Sequence, residues 1–302
     1  MAADRPTLGV FLMLLFCIAI PISDAMAKVL SMRFPLAELI FFRFLAQTVL
    51  FVPPIFGLRL PLTQSRQIWM LIVVRTVLHI AGLGMMFAAF RVLPLADAIA
   101  IAFVMPFILL LFGKVFLNEA VGLRRILACV VGFAGTLLVI RPSFETAGLA
   151  TLYPLGAAVA FAFYMLVTRR LATECNAFLI QGVSGGVAVA ALGTAMLTAG
   201  ATHPELAWVA PRADEIALLV LFGVMGAASH MLMTISLRYA PASTLAPIQY
   251  LEIPVATLVG WLAFNALPTG TAPLGIAITI AAGLYIIFRE QRQAAAGSRA
   301  GV

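Results

Sequence analysis

Charge is scarce in this sequence: Asp, Glu, Lys and Arg make up 10% of its 302 residues, where a soluble domain carries about a quarter. With 63% of its residues hydrophobic, the chain reads as an integral membrane protein with many spans. Cysteine is scarce too. Cys17, Cys129 and Cys175 stand far apart with no C-x-x-C pair, which argues against a disulfide framework and against a zinc site. There is no G-x-x-x-x-G-K-[ST] loop, so ATP is not expected as the direct energy source, and no H-E-x-x-H for a metalloprotease. Neither a metal nor a cofactor is expected. A formal charge of +7 would suggest nucleic-acid binding in a soluble protein; here loop positions explain it better, and no nucleic-acid partner is expected.

What is present is a succession of apolar runs. Ten can be marked, at 7–30, 36–57, 68–90, 96–116, 122–140, 152–167, 178–199, 216–237, 242–264 and 273–288. Arg5 precedes the first run, which has no small-residue cleavage site and reads as a retained helix. The one long loop, 200–215, is polar. With the N-terminus in the cytoplasm, cytoplasmic ends and loops hold twelve basic residues, among them Arg124, Arg125, Arg169 and Arg170. The opposite side holds five: Lys28, Arg33, Arg91, Arg141 and Arg212. That asymmetry places both termini, including a tail at 289–302, in the cytoplasm.

The chain repeats itself. Shifting it by 147 places Arg91 and Pro94 on Arg238 and Pro241, and Leu117–Asn118 on Phe264–Asn265. A shift of 141 places Lys28 on Arg169. The expected halves are 7–140 and 150–288, five helices each. Five is odd, so the second half enters the membrane upside down, a common plan for secondary transporters.

The ninth run has an acid at its middle. Residues 242–264 are long enough to span a core of about 30 Å, yet Glu252 sits near the centre, with Gln249 and Tyr250 before it and Pro254 after. A carboxylate at mid-membrane costs roughly 2.5–3.5 kcal/mol or more, so it is expected to face a cavity. Pro254 is expected to kink the helix and free the carbonyl of Tyr250.

Glu252 is read as a proton or cationic-substrate site, against the plainer alternative of a carboxylate hydrogen-bonded to neighbouring helices. Gln249 and Tyr250 are candidates for hydrogen bonds or stacking to an organic ligand. Asp24 and Lys28 lie four apart on one face of helix 1; an internal ion pair and a ligand contact fit them equally. Arg43, always charged, needs an acidic partner, Asp24 or Glu38, or an anionic ligand. Arg75 and His79 are four apart on helix 3, with Arg75 placed to snorkel towards the cytoplasm. His79, and His230 beside Ser229 in helix 8, are weighed evenly between a cavity role and a ring satisfied by a backbone carbonyl. Pro21, Pro106 and Pro254 are candidate hinges.

Residues 182–186 read G-x-S-x-G, and His230 lies downstream, so an intramembrane serine hydrolase using Ser184 and His230 is the rival class. Nothing near Ser184 reads as a strand, and small residues at helix contacts explain Gly182 and Gly186 better. No catalytic residue is assigned, and Glu252 disfavours a third reading, a scaffold subunit without transport.

The sequence resembles the drug/metabolite transporter superfamily, in its EamA-like ten-helix branch. The resemblance is carried by DAMAK at 24–28, FFRF at 41–44, FLNE at 116–119, VGFAG at 131–135 and RYAPA at 238–242 through Trp261. Within that branch it is most like bacterial members associated with S-adenosylmethionine or riboflavin uptake; related members export amino acids. The resemblance implies an all-α inner-membrane secondary transporter of a small organic metabolite, working by alternating access. Its expected partners are that small-molecule substrate, the lipid bilayer and protons. Substrate identity and direction stay open.

Overall fold

The structure, a computed structural model, describes residues 6–105, 107–108, 123–240, 245, 248–282 and 284–285. Pro106, Pro241, the FLNE segment and the tail at 289–302 lie outside the described residues. Charge-poor apolar runs become helices between turn signals: α1 is Pro6–Ser31, α2 Leu36–Gly57, α3 Arg66–Phe90, α4 Leu95–Ala102 and α5 Leu123–Ala147. After a 3-10 turn at Gly148–Leu152 follow α6 Tyr153–Glu174, α7 Ala177–Ala199, α8 Ala213–Tyr239, α9 Glu252–Phe264 and α10 Ala272–Ala282. The fold is therefore all-α, with ten helices in the expected order and no strand among the described residues. Six are long and apolar enough to cross a bilayer: α1, α2, α3, α6 with its preceding turn, α7 and α8. Side chains such as Phe11, Val49, Leu197 and Leu262 stand exposed on the outer surface, as lipid-facing positions do.

Local chemistry sets several ends. Ser65 caps α3 through its Oγ, which accepts from the Ile68 N–H, and Asn176 caps α7 by accepting from the Phe178 N–H. Asn265 takes a left-handed conformation (φ 51°) that stops α9. One difference from the sequence reading is at α5, which continues through Pro142 to Ala147 instead of ending near Ile140.

Helix pairing follows the repeat. α1 packs on α8 and α3 on α6, a pair of contacts that exchange when each helix is replaced by its counterpart five places on. α2 packs on α7 and α4 on α9, each with its own counterpart. α5 and α10 meet through Gly135 and Gly275. A Cβ added to Gly275 would lie 2.5 Å from the Gly135 carbonyl oxygen, so only glycine allows this approach. Across the same seam the Thr279 hydroxyl reaches the Gly132 carbonyl at 3.4 Å, a separation of 147 residues.

The ninth span differs from its expected course. Tyr250 and Leu251 form a turn, and regular α-helix starts again only at Glu252. The Tyr250 carbonyl is not freed: it accepts from the Ile253 N–H at 3.3 Å. Pro254 sits in the first turn of α9, where its missing N–H costs no intrahelical bond, so the break lies upstream of the proline. The fourth span breaks in the same way at Phe103–Val104, after α4. Phe103 and Tyr250 are related by the shift of 147.

At one end of the bundle the loop after α7 folds across the α1–α2 turn and the end of α3. Glu205 accepts from the Leu36 N–H at 3.1 Å and from Arg91 Nη1 at 2.8 Å. Arg91 also donates to the carbonyls of Ser31 and Phe34. Glu38 accepts from the Val209 N–H at 2.9 Å, and Arg33 pairs with Glu215 at 2.6 Å. Arg33, Arg91 and Arg212, assigned to one side from loop position, thus share one end.

Candidate functional site

The two helix breaks border a cavity of about 100 Å³ inside the bundle. α1 contributes Asp24, α2 Arg43, α6 Tyr164 and α8 His230; Gln249 precedes the second break and Glu252 follows it. The rest of the wall is apolar and rich in sulfur and aromatic rings, including Met86, Met105, Met165, Met233, Phe103 and Phe161. Five candidates from the sequence, Asp24, Arg43, His230, Gln249 and Glu252, come together here.

Neither ion pair weighed in the sequence closes among the described residues. Asp24 does not bind Lys28: the Lys28 ammonium donates to the carbonyls of Phe90 and Leu93 at 2.5 and 2.6 Å, tying α1 to the end of α3. A cation there meets the negative end of the helix dipole. Arg43 closes no ion pair with Asp24 or Glu38 among the described residues, although its charge and that of Asp24 attract each other. Its Nη1 donates to the Ser23 hydroxyl at 3.1 Å, its Nη2 has no acceptor among the described residues, and its plane packs against Phe222 and Phe87. Gly226 makes room for it; an added Cβ would lie 2.5 Å from the guanidinium carbon. The Asp24 carboxylate feels the Arg43 charge and repels that of Glu252, yet neither carboxylate accepts a hydrogen bond or closes an ion pair among the described residues.

Arg75 does not snorkel. It is fully buried and serves as a hub behind the cavity, donating to Thr168, Ser184 and Tyr164 at 2.9, 2.9 and 2.7 Å, and to Gln181 at 3.4 Å. Gln181 continues the network to the His230 carbonyl and Thr234, and its own carbonyl accepts from Gln47. Arg75 therefore positions Tyr164 without lining the cavity. His79 does not line it either. Its ring centre is 4.3 Å from that of His230 and 4.6 Å from that of Tyr164, and neither of its nitrogens has a hydrogen-bond partner among the described residues. His230 approaches the Tyr164 hydroxyl with Nδ1 at 3.3 Å, so the expected carbonyl partner belongs to neither ring. Tyr250 is buried against Phe103, outside the cavity lining.

Pro21 lies inside an unbroken α1, one turn before Asp24. Ser184 is fully buried and its hydroxyl accepts from Arg75, which cannot act as a base; Arg75 and Tyr164 stand between it and His230, and no direct hydrogen bond joins the two among the described residues. Gly182 packs against the α2 backbone as expected. Its partner there is Gly185, whereas Gly186 faces open space. Reading the sequence missed Tyr164, Gln181 and Phe103. Gln181 carried a signal, an amide within an apolar run; Tyr164 and Phe103 looked like ordinary packing.

Residues 7–141 and 148–289 each match the EamA-like transporter family. Among similar proteins, a riboflavin transporter of Rhizobium johnstonii is 29% identical over 96% of this chain and 94% of its own. An S-adenosylmethionine uptake transporter of Rickettsia bellii is 26% identical over 95% of both chains. A pseudopaline exporter of Pseudomonas aeruginosa is 27% identical over 95% of this chain and 96% of its own. One solved protein structure, 19% identical, superposes with a TM-score of 0.64 over 95% of this chain and 98% of that one, a likeness of fold.

Proposed function

The chain belongs to the EamA-like transporter family, and we propose that it is a secondary active transporter that moves a small organic metabolite across the bacterial inner membrane by alternating access. It is a transporter and not an enzyme; its relatives bear transporter names, and Ser184 lacks a catalytic partner. The observation that carries the mechanism is the cavity at the two helix breaks, where Asp24, Arg43 and Glu252 stand in a largely apolar wall with no ion pair closed among the described residues. Unpaired charges at that depth are costly, and a transporter retains them for its cargo. The halves, 7–140 and 150–288, rock about this site, with Pro21, Pro106 and Pro254 as candidate hinges. The end closed by the Arg91–Glu205 link must open in turn.

The candidate cargo is a metabolite of the kind its relatives' names give, S-adenosylmethionine or riboflavin, or an amino acid. Glu252 is assigned to substrate binding or to proton coupling. The twelve-to-five distribution of basic residues supports cytoplasmic termini and a periplasmic 200–215 loop. Two assays test the reading. Full-length protein in liposomes should take up labelled S-adenosylmethionine or riboflavin above empty vesicles; no uptake or exchange of either, or of amino acids, contradicts it. A single cysteine at Thr202, with the native three removed, should label in intact cells; labelling only after lysis reverses the topology.

A further inference from the structure

Charge in the cavity is unbalanced, and the imbalance describes a ligand. Two carboxylates, Asp24 and Glu252, face a single guanidinium, Arg43. Asp24 and Arg43 attract each other across the cavity without closing an ion pair, Glu252 meets only the like charge of Asp24, and Arg43 Nη2, on a residue only 1% exposed, finds no acceptor among the described residues. A buried donor left unmade costs about 1–3 kcal/mol, and more when charged, so such a group is retained where a ligand completes it.

We propose that Arg43 is the carboxylate anchor of the transported molecule, and that Asp24 and Glu252 receive two separate positive charges on it. This rests on the reading of the cavity as the transport site. The cargo class is an amino-acid head group, carboxylate and ammonium, bearing one further fixed cation: one negative and two positive charges, the inverse of the cavity wall. A neutral flavin can hydrogen-bond to these groups but neutralises none of their charges. The thioether and aromatic wall formed by Met86, Met105, Met165, Met233, Phe103 and Phe161 suits a polarisable, flat body attached to that head. Ser23 and Gly226 set the specificity-determining arginine: the hydroxyl holds Nη1, and the missing side chain leaves space for the guanidinium.

S-adenosylmethionine carries this charge pattern, and two analogues each remove one part of it. S-adenosylhomocysteine lacks the sulfonium methyl and its charge. Decarboxylated S-adenosylmethionine lacks the carboxylate. Calorimetric titration of full-length protein in lipid nanodiscs with these three and with riboflavin tests the assignment. Loss of one charge-assisted pair should weaken binding about tenfold or more. S-adenosylmethionine should therefore bind about tenfold or more tighter than S-adenosylhomocysteine. Arg43→Gln should weaken S-adenosylmethionine while leaving its decarboxylated analogue unchanged, and Asp24→Asn should narrow the preference over S-adenosylhomocysteine. If a variant fails to fold, the ranking of the ligands on unmodified protein decides alone. Equal affinity for S-adenosylmethionine and S-adenosylhomocysteine, no binding of either, or preference for riboflavin overturns the assignment. Uptake into liposomes separates this from the broader reading. The predicted ranking without any flux leaves the charge assignment standing and removes transport. Flux of riboflavin with no preference between the charged analogues does the opposite.

Discussion

Phe103 and Tyr250 stack on each other with ring centres 5.2 Å apart and planes inclined by 46°. Each stands at the turn that interrupts its helix, and they are counterparts in the two halves. The repeat thus closes on itself at the cavity, where its two broken helices touch. A pair of this kind is suited to hold both breaks in register, since two packed rings resist independent movement.

Phe103→Ala removes one ring of this buried pair. A buried Phe→Ala change costs about 3–5 kcal/mol, so the melting temperature should fall clearly and uptake should fall with it. Phe103→Leu keeps most of the volume and should recover most of the stability. An alanine variant as stable as the unmodified protein would show that the contact does not hold the breaks.

Ser184→Ala removes one of four acceptors from a buried guanidinium. The expected cost is about 1–3 kcal/mol of stability, with uptake per folded molecule nearly unchanged, because Arg75 keeps Thr168, Tyr164 and Gln181. Abolished uptake with unchanged stability would contradict the structural role given to Ser184.

Gly226→Ala places a methyl group against the Arg43 guanidinium. A long side chain can move where a backbone cannot, so the protein should fold. Ligand affinity should drop severalfold because the carboxylate anchor is displaced. Unchanged affinity in titration would mean that Arg43 is not held where the cargo needs it.

Much of this was legible in the sequence. Each of the ten apolar runs holds a helix among the described residues, and the shift of 147 that aligns Arg91 with Arg238 also aligns the two breaks. Glu252 stood out because an acid in an apolar run has few alternatives to a cavity. The break itself was displaced: Pro254 suggested a kink, whereas the proline only occupies a first turn that tolerates it. Partners were harder to read. Asp24 and Lys28 share a helical spacing, but the ammonium found two carbonyls at the end of α3, a tertiary arrangement that spacing on one helix does not encode. Arg75 was read as snorkelling because its acceptors come from α6 and α7, some 90 to 110 residues away.

Glu205 gives a pH dependence outside the membrane. Burial raises its carboxyl, but the Leu36 N–H and the Arg91 guanidinium outweigh that and hold it below the ordinary range. A depressed carboxyl stabilises above its unfolded value and loses that contribution as pH falls through the folded one, so the link should weaken in acid, below the ordinary glutamate range. Glu205 is more than half exposed, so Glu205→Gln should cost less than about 1 kcal/mol. Arg91→Ala should cost more, because the carbonyls of Ser31 and Phe34 lose their donor as well. Melting curves at pH 4 and pH 7 check both; equal costs for the two variants would remove Arg91 from the end seal.

The proposed transport site turns on Glu252 acting as a transport carboxylate and not as a structural one. It is surrounded by Asp24 from α1, Arg43 from α2, Tyr164 from α6 and His230 from α8 around one cavity. The direct measurement is uptake by Glu252→Gln protein in liposomes across a pH series, normalised to folded protein. The glutamine keeps the shape but cannot ionise. The account predicts folding and insertion at least as good as those of the unmodified protein, poor uptake, and a flatter dependence of the remaining uptake on pH. Unmodified rates with unmodified pH dependence would contradict it.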